Sequence, residues 1–222
     1  GAHATIHCHT RVGADNVIHA FASVGDAPQD KKYQGEPTRL EIGDRNVIRE
    51  FVTLNRGTAQ DRGVTTIGDD NLFMSYSHVA HDCIIGDHTI FANNASLAGH
   101  AIVGDWVIFG GFSGAHQFCK IGDHAFIGMG SLVNADVPPF VTTSAQYAEP
   151  RAINAEGLKR RGFSAERIAV VKQMHRALYR KGLTLVDARA EIDSLRGQVP
   201  EADGELTLML DFLAAAERGI VR

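Results

Sequence analysis

Histidine stands at 11 of 222 positions, and four of them, His78, His81, His100 and His116, fall within one short stretch of chain. Imidazole takes up and releases protons near neutral pH, so a histidine aimed at a hydroxyl or a water acts as a general base, and several together bind a metal. His81 carries the strongest signal of the four because Asp82 follows it directly. A carboxylate beside a histidine fixes its tautomer and stabilises the imidazolium that proton transfer creates. Gln117, next to His116, adds an amide to the group. A hydroxyl is a weak nucleophile until its proton is removed, so the pattern points to activation of an oxygen nucleophile. Isolated histidines elsewhere, His88, His124 and His175, read as ordinary surface or core residues.

Whether the four histidines meet depends on the elements that carry them. Every sixth residue from Ile67 onward is apolar, through Phe73, Val79, Ile85, Phe91, Leu97, Val103, Phe109, Ala115, Ile121 and Ile127 to Val133, and the residues two places before these are mostly small. Glycine follows the apolar residue at Gly68, Gly86, Gly104 and Gly122, which superimposes a period of 18. A helix would repeat every 3.6 residues and a simple strand every second, so this pattern means short strands turned at three corners. A stacked parallel β-helix of triangular section follows, each coil adding about 4.8 Å along the axis. Upstream, Ile6, Val12, Ile18, Val24, Ile42, Ile48 and Leu54 obey the same rule, with loop insertions near 26–38 and 55–63.

Residues 18 apart superpose, so His81, Gly99 and Gln117 form one column, with His100 and His116 adjacent to it and His78 near the same corner. These residues make a polar strip spread over roughly 10 Å of one edge. Cys83 and Cys119 fall on small inward positions and read as core filler. Three cysteines without a CxxC pair give neither a disulfide framework nor a cysteine-rich zinc module.

The period stops at Pro138 and Pro139, where adjacent prolines are expected to end the ladder. Beyond it the chain reads as helical, with a short basic turn after Asn154, a longer helix capped by Ser164, a capping box at Thr184 and Asp187, and a last helix over 204–217. We therefore divide the chain into a β-helix over 1–149 and a helical region over 150–222 that caps it. With 22 basic against 26 acidic residues the net charge is -4, which removes the electrostatic basis for nucleic-acid binding. No apolar run reaches the roughly 18 residues of a membrane span and no basic-then-apolar leader is present, so a cytoplasmic protein without membrane insertion is expected.

The segment from Ser77 to Cys83, the turn Leu97 to His100, His116-Gln117-Phe118, the loop from Gln29 to Thr38 and the stretch from Glu156 to Phe163 together resemble the UDP-N-acetylglucosamine O-acyltransferase family, from about Ile6 to the C-terminus. Hexapeptides alone are shared by many acyltransferases; the loop, the histidine strip and Gly157-Leu158-Lys159-Arg160-Arg161-Gly162-Phe163 make the likeness specific. The resemblance implies a left-handed parallel β-helix of hexapeptide repeats followed by a small α-helical C-terminal domain, and further coils upstream of those present here. It implies transfer of a 3-hydroxyacyl group from acyl carrier protein to the 3-hydroxyl of UDP-N-acetylglucosamine, the first step of lipid A biosynthesis, without a cofactor or metal. By its motifs His81 is the general base, Asp82 its orienting carboxylate, and the Gly99 N–H the oxyanion donor. Gln29, Asp30 and Lys32 match residues at the sugar and phosphate end. His78, His100, His116 and Gln117 match the strip along the sugar, diphosphate and acyl arm, and Asn154, Glu156, Arg160 and Arg161 match the uridine and phosphate end.

Met129 stands where some members have glycine at the floor of the acyl groove, which implies a donor of about ten carbons, because a thioether fills the space of several methylenes. The family assembles as a homotrimer with sites between subunits, and by column counting Met129 lies on a different edge from His81. Arg167, Lys172, Arg176, Arg180 and Lys181 would dock the acidic carrier protein. Three other readings compete. A zinc-dependent lyase of the carbonic-anhydrase type would bind its metal through three histidines from two subunits, His81 and His116 with either His78 or His100. A non-catalytic scaffold would need none of them, and an N-acyltransferase of the same pathway resembles the C-terminal region less.

Overall fold

The six-residue period folds as two-residue strands joined by tight corners. In the computed structural model, which describes residues 1–222, Val79 pairs with Leu54 and Leu97, Ile85 with Ile67 and Val103, and Phe91 with Phe73 and Phe109. Residues one coil apart thus lie side by side, and the strands form three sheets of seven, six and eight members around a triangular prism. All pairings are parallel except the last, between Val141–Ser144 and Glu149–Ile153.

The apolar residue of each hexapeptide points inward. Val79, Phe91, Leu97 and Phe109 are fully buried, and Phe73, Phe91 and Phe109 stack inside the prism with ring centroids 5.0 and 4.8 Å apart. Each such burial is worth about 1.5–3 kcal/mol. The small residues two places earlier turn the corner from within; Cys83 and Cys119 are among them, and burial pushes the Cys83 thiol up to about 12.

The glycine at every eighteenth position has a steric cause. A carboxylate ladder climbs one edge: Asp44, Asp69, Asp87 and Asp105 each donate a backbone N–H to the carboxylate of the aspartate in the following coil. The accepting oxygen occupies the place where a Cβ would stand on Gly43, Gly68, Gly86 and Gly104. At all three edges one residue per coil takes a left-handed conformation, as at Asp82 (φ 60°), His100 (φ 62°) and Phe118 (φ 64°). That costs a non-glycine residue about 1–2 kcal/mol, and it directs successive side chains over one another. Ring stacking offsets the cost, as along His88, Trp106, His124 and Phe140.

The ladder does not end at the prolines. Val137 N–H still donates to Lys120 O, Phe140 N–H to Asp123 O, and Val141–Ser144 extends the third sheet beside Phe126–Ile127. Pro138 and Pro139 occupy corner positions whose N–H groups, in earlier coils, donate to the coil that follows, as Gly104 does to Ile121 O and Asp105 to Asp123. In the last coil no receiver remains, so proline forfeits nothing there. Strand pairing consequently continues to Ile153, past the division drawn at 149/150.

Four helices follow: α1 (Ala155–Arg160), α2 (Ala165–Tyr179), α3 (Leu185–Asp193) and α4 (Asp203–Ala215). Ser164 and Thr184 cap α2 and α3 by accepting from Arg167 N and Asp187 N. Leu158, Val171, Met174, Leu206 and Met209 build a second apolar cluster around Phe140, separate from the prism core. The chain then returns to the prism, where Val221 N–H donates to Asp136 O. No helix is long and apolar enough to cross a membrane. The loops spanning 27–38 and 56–63 are tied to the prism and to each other by the buried Arg56, whose guanidinium donates to Cys8 O and Tyr33 Oη. They overhang the edge that carries His81.

Candidate active site

Asp82 is the fixed point of this edge. Its carboxylate is wholly buried and accepts from Thr58 N–H at 3.0 Å and from Thr58 Oγ1 at 2.6 Å, while its own N–H donates to Thr65 Oγ1 at 2.8 Å. His81 Nδ1 lies 2.9 Å from Asp82 Oδ2. An ionised carboxylate only accepts, so the proton of this bond belongs to Nδ1, which leaves Nε2 as the free nitrogen.

The other face of the ring is set by Gly99, one coil further on. A Cβ there would stand 2.5 Å from His81 Cε1 and 2.7 Å from Nε2. No positive φ demands glycine at this position, so the requirement is space alone. Gly99 N–H donates to no group of the chain, as is also true of His81 and Gln117 at the same corner of the adjacent coils. These three N–H groups, one per coil, therefore remain free at the corner that carries the imidazole.

Two clefts meet at His81. One, of about 990 Å³, is polar and carries Gln29, Asp30 and Lys32 of the first loop with Asp61 and Arg62 of the second, opposite His81, Asp82 and His100. The other, of about 560 Å³, runs over the outer face of the first sheet past Leu97, Gly99, Ala115, Leu132 and Tyr147, with His78 and His116 at its margin. Gln29, His81 and Gln117 belong to both. His78 Nδ1 sits 2.7 Å from Thr53 Oγ1, and burial first, then the neighbouring His81, holds His78 below the usual histidine range. His100 stacks flat on Phe118 at 4.4 Å and edge-on to His81 at 5.0 Å. His116 turns Nδ1 toward Gln117 O at 3.2 Å and stays exposed.

The remaining residues singled out in the sequence do not join this group within one chain. Asn154 caps α1 by accepting from Gly157 N–H and donates to His124 O, so both ends of its amide are engaged. Glu156 pairs with Lys159 at 2.7 Å on the exposed face of α1. Arg160 is exposed, and Arg161 lies over Trp106, donates to its carbonyl, and is held below the usual guanidinium range by burial. These four residues flank the edge that bears Trp106 and His124. Met129 stands at the third edge and is 76% exposed, so it does not pack in the core.

The three donors that approach within 4.8 Å of one another are His81, Asp82 and His100. Within one chain His116 is not among them, and Asp82 Oδ2 already serves Thr58 and His81. Among the basic residues offered for docking, Arg167 pairs with Glu205, Lys181 with Glu191, and Arg180 donates to Arg151 O, while Lys172 and Arg176 are exposed without an acidic partner. Thr58 and Asp61 escaped the sequence reading because the insertion that carries them breaks the 18-residue columns.

Residues 136–221 match the family model described as UDP-N-acetylglucosamine O-acyltransferase, domain 2, and residues 65–99 match the bacterial transferase hexapeptide model. The acyl-[acyl-carrier-protein]–UDP-N-acetylglucosamine O-acyltransferase of Thiobacillus denitrificans is 60% identical over 209 residues, 93% of this chain and 79% of that protein. The protein of the same name from Xanthomonas axonopodis is 56% identical over 99% of this chain and 82% of its own length. Among solved structures, LpxA from Acinetobacter baumannii superposes with a TM-score of 0.93 at 47% identity, covering 100% of this chain and 84% of that one. The Bacteroides fragilis LpxA, a UDP-N-acetylglucosamine acyltransferase, gives 0.95 at 39% identity, over 100% and 85%. The prism is thus a left-handed parallel β-helix closed by a small helical region, as its resemblance to this group implied.

Proposed function

Because the chain belongs to the UDP-N-acetylglucosamine O-acyltransferase family, whose members are acyltransferases, we propose that it moves a 3-hydroxyacyl group from acyl carrier protein to the 3-hydroxyl of UDP-N-acetylglucosamine, the opening step of lipid A biosynthesis, with His81 as general base. The observation that carries this reading is the meeting of a polar and a largely apolar cleft at one imidazole whose Nδ1 is tied to a buried carboxylate. A nucleotide sugar suits the first cleft and an acyl chain the second, which puts the hydroxyl and the thioester carbonyl together at His81.

In this mechanism His81 Nε2 takes the proton of the sugar hydroxyl as its oxygen attacks the thioester carbon. Asp82 stabilises the imidazolium so formed, and the Gly99 N–H faces the developing oxyanion. Collapse of the tetrahedral intermediate breaks the carbon–sulfur bond, and the imidazolium returns its proton to the departing thiolate of the carrier. Asp30 and Lys32, with Gln29, engage the sugar and phosphate end, and His78, His100, His116 and Gln117 line the path of the sugar, diphosphate and acyl arm. Asn154, Glu156, Arg160 and Arg161 lie on another edge of the same chain, so their service to the uridine end requires a neighbouring subunit. A homotrimer meets that need, with exposed Lys172 and Arg176 open to the acidic carrier. His81→Ala is expected to lower kcat for acyl transfer about a thousandfold while the protein remains folded. Transfer within a few-fold of wild type would dismiss His81 as the base.

A further inference from the structure

Asp61, in the 56–63 loop, brings its Oδ2 to 2.7 Å from His100 Nδ1, a bond that spans 39 residues of sequence. We propose that Asp61 is a positioning residue that locks His100 with its proton on Nδ1 and its Nε2 turned to the polar cleft, so that the nucleotide sugar meets one fixed imidazole. The proposal rests on the functional reading above, since it gives His100 a substrate to meet.

The argument is one of degeneracy. The His100 ring lies flat on Phe118, with planes 9° apart, and meets the His81 ring at 87°. Stacking restrains the plane of a ring but not its sense, because a half-turn about the Cβ–Cγ bond exchanges nitrogens for carbons with little change in shape. Only a directional bond breaks that tie. Asp82 is unsuited to the task, because its nearer oxygen is 4.0 Å from His100 Nδ1 and already serves Thr58 and His81. Asp61 is the remaining acceptor, and its carboxylate fixes the sense of the ring and the tautomer together. Without it, imidazole in water favours the proton on Nε2, which would turn an acceptor facing the cleft into a donor. The site then has two histidine–carboxylate pairs of different kinds: His81 with a fully buried partner, and His100, whose side chain is 16% exposed, with a partner 40% exposed at the rim.

The test compares wild type, Asp61→Ala and Asp61→Glu in the full chain, using nitrogen NMR of histidine-labelled protein and steady-state kinetics with both substrates varied. In Asp61→Ala the His100 signals are expected to shift toward the Nε2-protonated form, and KM for the nucleotide sugar to rise roughly tenfold with kcat unchanged, the loss expected for a charge-assisted hydrogen bond. Asp61→Glu restores part of both. A purely structural Asp61 would instead lower the melting temperature and leave the His100 tautomer and KM where they were, which overturns the proposal. Should His81→Ala remain active, the functional reading fails, and the tautomer measurement still decides the role of Asp61.

Discussion

The gap between Gly99 and the His81 ring is too narrow for a methyl group, and a single methyl group probes it. In Gly99→Ala the new Cβ would stand 2.5 Å from His81 Cε1, so something must move. The ring cannot slide freely, because Nδ1 is tied to Asp82 and Asp82 is held by both hydrogen-bonding groups of Thr58. Either the histidine–carboxylate bond opens or the two coils part. A misplacement of about 1 Å at a reacting group costs on the order of a hundredfold, so we expect kcat/KM to fall by about that much while circular dichroism shows the fold retained. Full activity in Gly99→Ala would count against this pose of His81 as the reacting one. This contact was half legible in the sequence. Counting by 18 puts Gly99 over His81, but the reason for glycine, space and not conformation, needed the ring in place.

The corner ladders are the elements that hold such columns in register, and one of them carries a histidine that links stability to pH. His124 sits between Trp106 and Phe140, and Asn154 and Arg161 approach it from α1. Burial first, then the charges of Arg161 and Arg167, lowers it to about 4 from 6.5. A histidine whose folded value is depressed takes up its proton more readily in the unfolded chain, so stability is intact above pH 6.5 and declines as pH falls toward 4. At about 1.4 kcal/mol for each unit, the loss from this group reaches about 3 kcal/mol at the acid end. Replacing it, as in His124→Gln, is expected to flatten the fall in denaturation midpoint between pH 7 and pH 4.5 relative to wild type; parallel curves would mean that His124 titrates normally. The regular coils were readable because their 18-residue period is a direct image of strand pairing, as Val79 beneath Leu97 shows. Pro138 and Pro139 misled because a rule about ladder interiors was applied to the last coil, and Thr58 and Asp61 stayed hidden because an insertion has no period to read.

At the scale of the whole molecule the prism spreads the residues of the proposed site over three edges. One edge has the His81 clefts, the second has Arg161 and the flank of α1, and the third has Met129, which is exposed to solvent. The proposed closed ring of three chains would unite such parts, because each heterologous contact sets one edge of a subunit against a different edge of the next. The proposed acyl ruler makes this arrangement testable. If Met129 fills the end of a groove, Met129→Gly opens it, and a donor of about fourteen carbons gains four methylenes of burial over one of about ten. At about 0.8 kcal/mol each, that amounts to about 3 kcal/mol, or roughly a hundredfold in relative kcat/KM. Co-assembly decides whose Met129 is read. Chains carrying Met129→Gly are refolded with an excess of chains carrying His81→Ala, so that nearly every active His81 has His81→Ala neighbours that retain Met129. A ruler supplied by the neighbour restores the preference for the shorter donor in these mixed assemblies. A ruler on the same chain as the base leaves the longer donor preferred, and such a result would confine the acyl groove to one subunit and leave the uridine end as the ground for the ring.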